Sequence, residues 1–127
     1  MVSINKLDDS QPIYLQIKQV IEDSILDGAI EPEERIPSTN ELAKFYQINP
    51  ATARQGVNEL VQEGIVVKRR GVGMFVSKEG RDIILEKRKN EFYESYIVPL
   101  KMEADKLLIS EDQLVQMILK GGAKHEN

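Results

Sequence analysis

Ile36-Pro37-Ser38-Thr39-Asn40-Glu41-Leu42-Ala43, then Ile48-Asn49-Pro50-Ala51-Thr52-Ala53-Arg54, then Arg69-Arg70-Gly71-Val72-Gly73-Met74-Phe75-Val76, follow one another in this chain of 127 residues. In that order they spell a short capped helix, a turn, a second helix, a basic strand and a glycine hairpin. A capped short helix, a proline-started amphipathic helix and a basic two-stranded wing are the parts used to read a DNA groove. No one of them is specific alone; their order and spacing are.

Local chemistry sets the boundaries. Ser38 followed by Glu41 is a capping box, in which the serine oxygen serves the amide at the third helical position and the glutamate reaches back. Leu42, Ala43 and either Phe45 or Tyr46 are available to a core, and Gln47-Ile48 makes the turn. Asn49 suits an N-cap and Pro50 the first helical position, where a missing N–H costs nothing. On that second helix Ala53, Gly56, Val57, Leu60 and Val61 share one face. Ala51, Gln55, Asn58, Glu59 and Gln62 share the other, with Thr52 and Arg54 at its flanks, and Gly64 ends it. Ile65 to Arg70 and Met74 to Val76 are β-rich runs joined through Gly71-Val72-Gly73.

Upstream, Ile13, Ile17, Val20, Ile21 and Ile25 recur at helical spacing between Pro12 in the first turn and Gly28 just past the end. Downstream, Ser77-Lys78-Glu79-Gly80 reads as a boundary, giving domains of residues 1–78 and 79–127. Residues 81–108 read as helix, with Pro99 expected to kink or split it. Ser110 and Gln113 form a second capping box, and Gly121-Gly122 is expected to stop the last helix.

The net charge is −4, which argues against nonspecific packaging of nucleic acid, but its distribution is uneven. Residues 44–78 carry an excess of four positive charges, while the segments before and after are acidic by six and by two. The basic footprint falls on the second helix and the hairpin. The polar set near that helix start (Asn49, Thr52, Arg54, Gln55 and Asn58) has the donors and acceptors that major-groove readout needs, and Pro50 and Ala51 belong to the same candidate contact surface. The N-terminus of that helix also favours a phosphate, and Ser38, Thr39 and Asn40 at the start of the first helix are further DNA-contact candidates. Lys68, Arg69 and Arg70 before Gly71 and Gly73 suit a wing, with cations for phosphate or a narrow minor groove and glycines for close approach.

Other chemistry fits poorly. There is no cysteine, and the lone His125 lies in a polar tail read as solvated, so neither a thiolate nor a histidine base is on offer. Metal-ligand spacing is absent and no cofactor is expected. The glycine pair lies between two strands, with no helix N-terminus after it to hold a pyrophosphate. The N-terminal Met1-Val2-Ser3-Ile4-Asn5-Lys6 lacks the apolar core of a signal peptide, and no apolar run reaches about 18 residues, so a cytoplasmic protein off the membrane is expected. Two rivals remain: a winged-helix protein-interaction module that does not bind DNA, and a small enzyme or ligand sensor on the same core.

The residues resemble the GntR family of bacterial winged-helix regulators. The resemblance runs from Ile13 to Val76 and rests on Ile13-Tyr14-Leu15-Gln16-Ile17, Gly28 with Ile30 and Pro32, and Pro37-Ser38-x-x-Glu41-Leu42-Ala43. It continues through Thr52-x-Arg54, Leu60-x-x-Glu63-Gly64-Ile65 and Gly71-x-Gly73-x-Phe75-Val76. Asn40 stands where the family places an arginine, Asn49-Pro50 where many members have Ser-Arg or Thr-Arg, Glu33 where they have glycine, Val72 where the wing has a basic residue and Met74 where they have threonine. The Asn-Pro-x-Thr pattern and the short tail resemble the YtrA subfamily. That implies a mainly α fold with a small β-hairpin, a winged helix-turn-helix followed by a short helical dimerisation module. It also implies a repressor of its own operon and linked transport genes, binding a palindromic double-stranded operator as a homodimer. Whether a small-molecule effector acts on it, and which one, the resemblance leaves open. Phe92, Tyr93, Tyr96, Ile97, Leu100 and Leu107 are then expected at the interface with a second copy.

Overall fold

The computed structural model describes the backbone of residues 7–125 and the side chains of residues 7–120. The Met1-to-Lys6 segment, read above for a signal peptide, and the side chain of His125 lie outside the described residues. The first compact unit closes at Lys87, past the boundary expected at residue 78, and the second opens at Arg88.

In the first unit α1 (Ile13–Leu26), α2 (Thr39–Tyr46) and α3 (Pro50–Gln62) surround one apolar core. Pro12 is the N-cap of α1, and its carbonyl accepts from the amides of Leu15 (3.1 Å) and Gln16 (3.3 Å). The α1 face predicted from spacing is the one that packs: Ile17, Val20, Ile21 and Ile25 are buried. Leu42 and Ala43 of α2 and Ala53, Val57 and Leu60 of α3 meet them. Each buried Ile, Val or Leu among them contributes about 1.5–3 kcal/mol, and the alanines less. Of the two aromatics on α2, Tyr46 packs against the core while Phe45 is exposed, their rings edge to face at 4.9 Å.

Two contacts fix how α3 sits. At Gly56 a Cβ would lie 2.7 Å from the Tyr14 carbonyl oxygen and 3.2 Å from Ile17 Cγ2, so α1 and α3 cross in backbone contact there. Beside the crossing, Lys18 of α1 pairs with Glu63, the residue capping α3, and with Glu59 at 3.4 Å.

Strands β1 (Val66–Arg69) and β2 (Gly73–Val76) form an antiparallel hairpin, with Val66 opposite Val76, Val67 opposite Phe75, Lys68 opposite Met74 and Arg69 opposite Gly73. Residues 33–36 add a short third edge: the Ile36 amide donates to the Met74 carbonyl at 2.9 Å, and the Val76 amide to that of Glu34 at 2.9 Å. Val66, Val76 and Ile36 point into the core, which anchors the wing base.

Helix α4 (Gly80–Phe92) starts inside this core. A Cβ on Gly80 would lie 2.7 Å from the Ile65 carbonyl, and Ile84 is fully buried. Arg81 donates to the Leu26 carbonyl that ends α1, through Nε at 3.3 Å and Nη2 at 3.2 Å. Lys87 pairs with the buried Glu22 at 2.5 Å and with Glu63 at 2.9 Å.

In the second unit α4 ends and passes into a π-helical turn (Tyr93–Ile97), then α5 (Val98–Lys106) and α6 (Glu111–His125). Pro99 sits in the first turn of α5, and the helix is not split there but widened into the π turn just before it. Proline cannot donate to the carbonyl four residues back, and a widened turn absorbs the ring. The Ser110–Gln113 capping box forms with both bonds, 2.9 and 3.2 Å. The expectation that Gly121-Gly122 stops α6 is corrected, because the helix continues to His125. A helical glycine costs about 1 kcal/mol relative to alanine, which weakens a helix without forbidding it.

Candidate nucleic-acid interface

The helix-turn-helix is built by three caps. Ser38 Oγ accepts from the Glu41 amide at 3.0 Å, and Glu41 Oε1 accepts from the Ser38 amide at 2.7 Å. That amide holds the Glu41 carboxyl below the usual glutamate range. Helix α2 ends where Gln47 turns left-handed (φ 56°) and the Ile48 amide donates back to the Ala43 carbonyl at 2.9 Å. Asn49 Oδ1 then accepts from the Ala51 amide at 2.8 Å, and Pro50 opens α3.

With Ala53, Gly56, Val57 and Leu60 inside, α3 presents Asn49, Pro50, Ala51, Arg54, Gln55 and Asn58 to solvent, and Thr52 is half-buried. The structure brings these residues onto the exposed side of one helix. Ser38 and Thr39 are half-buried and Asn40 is exposed at the start of α2. Lys68, Arg69 and Arg70 are all exposed on the wing. The turn between the strands is closed by the Val72 amide on the Arg69 carbonyl at 2.9 Å, with Gly71 at φ 75° and Gly73 at φ 143°, backbone conformations that favour glycine.

The electrostatics divide the unit in two. Lys18 of α1 and Lys87 of α4 are taken up in ion pairs: burial pushes the Lys18 ammonium down, but the Glu63 and Glu59 carboxylates outweigh it and leave it above the usual lysine value. Burial likewise pushes Glu63 up, and its bonds to Lys18 and Lys87 outweigh that and hold it low. Glu59 and Glu63 are the only carboxylates of residues 44–78, and both turn toward Lys18. Arg54, Lys68, Arg69 and Arg70 have no ion-pair partner among the described residues. The positive charge seen in the sequence is therefore displayed, not neutralised internally.

One cation near this surface is concealed in the sequence by its acidic neighbours Glu31, Glu33 and Glu34. Arg35 bridges to Phe75 on the third edge of the wing, and its side chain runs over Gly73. Only the pairing of residues far apart in the chain reveals it. Among the described residues no group of His, Cys, Asp or Glu could hold a metal ion, and no helix is long and apolar enough to cross a membrane.

A core-backed second helix with an exposed polar start, followed by a basic hairpin, defines a winged helix-turn-helix protein of the DNA-binding class. Residues 13–76 match the family model described as bacterial regulatory proteins, gntR family. The chain belongs to the GntR family. It is 30% identical to the HTH-type transcriptional repressor YtrA of Bacillus subtilis, over 92% of this chain and 94% of that one. A GntR family transcriptional regulator from Listeria monocytogenes superposes with a TM-score of 0.72 at 29% identity, covering 90% of this chain and 98% of that one. The AraR DNA-binding domain in complex with operator ORX1 superposes with a TM-score of 0.55 at 30% identity, covering 57% of this chain and 95% of that one. Two further curated relatives are much longer, and the chain spans 36% and 18% of their lengths. These relatives are transcriptional regulators, not enzymes.

Proposed function

We propose that this regulator binds a palindromic double-stranded operator as a homodimer and represses transcription by occupying the promoter. Its targets are its own operon and linked transport genes, an assignment that rests on the likeness to YtrA, and its place of action is the cytoplasm. The observation that carries the reading is the exposed polar surface at the start of α3 beside the wing, whose cations have no ion pair among the described residues. In this reading Arg54, Gln55 and Asn58 reach base edges and Asn49 and Thr52 fix the helix start against the backbone. The α2 start (Ser38, Thr39, Asn40) and the wing (Lys68, Arg69, Arg70, Gly71, Gly73) meet phosphates. Support for the dimer comes from Phe92, Tyr93, Tyr96, Leu100 and Leu107, all exposed in the single chain, with Tyr96 66% exposed.

Selection of genomic DNA by the purified protein, followed by gel shifts over a salt series, tests the proposal. An enriched inverted repeat upstream of the protein's own gene is expected, bound at least ~10³-fold more tightly than random duplex and progressively more weakly as salt rises. Failure to retain any duplex at low salt would favour the rival protein-interaction module.

A further inference from the structure

We infer that Arg35 is a DNA phosphate contact, carried toward the wing tip in a lane that Gly73 leaves open. The inference rests on the DNA-binding reading above and extends it to a residue outside the recognition helix and the basic strand.

The register decides which side chains share a face. Arg35 bridges to Phe75, Phe75 pairs with Val67, and two residues further out Gly73 pairs with Arg69. Side chains alternate across a sheet, so Arg35, Phe75, Val67, Gly73 and Arg69 lie on one face. The opposite face holds the buried Ile36, Val66 and Val76, which makes the Arg35 face the outer one. On it the Arg69 guanidinium carbon stacks 4.4 Å from the Phe75 ring centroid. The Arg35 side chain leans from the level of Phe75 to that of Gly73, toward the tip. A Cβ on Gly73 would stand 2.9 Å from Arg35 Nε and 3.5 Å from both Cδ and Cζ. Gly73 thus has a second reason to be glycine besides its φ of 143°.

The charge is available for a ligand. Arg35 is exposed and has no ion pair among the described residues; its field reaches Glu41 only weakly, as the last of the causes acting on that carboxyl. Two guanidinium groups on one small sheet face repel each other unless an anion lies against them. Phosphate matches the fork of donors that each presents. Arg35 also lies three residues before Ser38, on the segment leading into α2, so it links the wing to the helix start already assigned to the backbone.

The test uses the full chain and fluorescence anisotropy over a salt series on a mixed-sequence duplex of about 30 base pairs, which reads phosphate contacts alone. Arg35→Ala, Arg35→Gln and Arg35→Lys are compared with the native protein, and thermal melts confirm that each folds. Arg35→Ala and Arg35→Gln are expected to bind roughly 3- to 10-fold more weakly at low salt and to lower the log–log salt slope by about one. Arg35→Lys keeps the slope. Native-like affinity and slope in both neutral variants, while the native protein binds the duplex, would overturn the inference and leave Arg35 as a wing strut. If the native protein itself does not bind, the DNA-binding reading fails first and the inference with it.

Discussion

Arg54 is the only cation on α3, and it stands on the exposed flank with no ion pair among the described residues. Removing it takes nothing from the core, so Arg54→Ala should melt like the native protein and lose roughly 1–3 kcal/mol of operator binding. Unchanged operator affinity at physiological salt would remove α3 from its role as the reader helix. A second residue-scale prediction concerns Glu33, whose φ of 69° is the left-handed region that favours glycine. Its amide is held by the Val76 carbonyl at 2.8 Å, so the turn cannot relax without breaking the wing's third edge. A non-glycine residue there costs roughly 1–2 kcal/mol, partly offset by the flexibility glycine adds to the unfolded chain. Glu33→Gly should raise stability by about 0.5–1 kcal/mol in urea unfolding, and a lower midpoint would refute the strain. Features of this kind divide by range. Ser38 with Glu41, and Asn49 with Pro50, were legible because a cap is made by residues a few positions apart. Arg35 was not, because its setting is defined by Gly73 and Phe75 on another strand.

Amphipathic spacing made the core faces of α1 and α3 legible, since a face is a property of one helix. How closely two helices cross is a property of both, and Gly56 read simply as one more residue of the inner face. The structure shows it in contact with the Tyr14 carbonyl. Gly56→Ala must push α1 and α3 apart, and should cost about 1–3 kcal/mol by urea unfolding despite alanine's better helix propensity. A stabilised variant would mean that the crossing is loose. The ion pairs at the same interface were equally hidden, and they predict a pH dependence. Glu63 is held below the usual glutamate range by Lys18 and Lys87, so its contribution is present above about pH 4.3 and is lost as pH falls through its lowered value. Lys18 is raised, so its contribution persists below the usual lysine value and is lost as pH rises past its own. Glu63→Gln should therefore be less stable than the native protein by about 1–3 kcal/mol at pH 7, because it takes one carboxylate from each of two part-buried lysines and leaves Lys18 with Glu59 alone and Lys87 with Glu22 alone. The difference should shrink as pH falls below 4.3, and a difference that stays constant down to pH 2 would show that Glu63 is not the titrating group.

At the scale of the whole molecule, the second unit leaves an unusual amount of apolar surface without cover. Phe92 and Tyr96 sit one turn apart with ring centroids at 5.4 Å, and both are more than half exposed. Leu100, Met102, Leu107, Leu108, Val115, Met117, Ile118 and Leu119 are exposed as well, and Ala104 is the only buried residue described between 88 and 120. A module of this size rarely stabilises itself, and an apolar surface of this extent marks an interaction site. A second copy fits, because an inverted-repeat operator requires two reader helices about one DNA turn, ~34 Å, apart. The full chain should therefore sediment as a dimer at micromolar concentration, and Leu100→Glu should shift it toward monomer without unfolding the first unit. The place to cut follows from α4. A chain ending at Lys87 keeps Ile84, the Arg81 bonds to Leu26 and the Lys87 pairs, so it should fold as a monomer that binds a half-site weakly. A chain ending at Gly80 loses all of these, and should be less stable by about 2–5 kcal/mol from the lost Ile84 side chain alone. Equilibrium sedimentation with operator titrations checks both: a full-length monomer with undiminished operator affinity would remove the second copy from the mechanism.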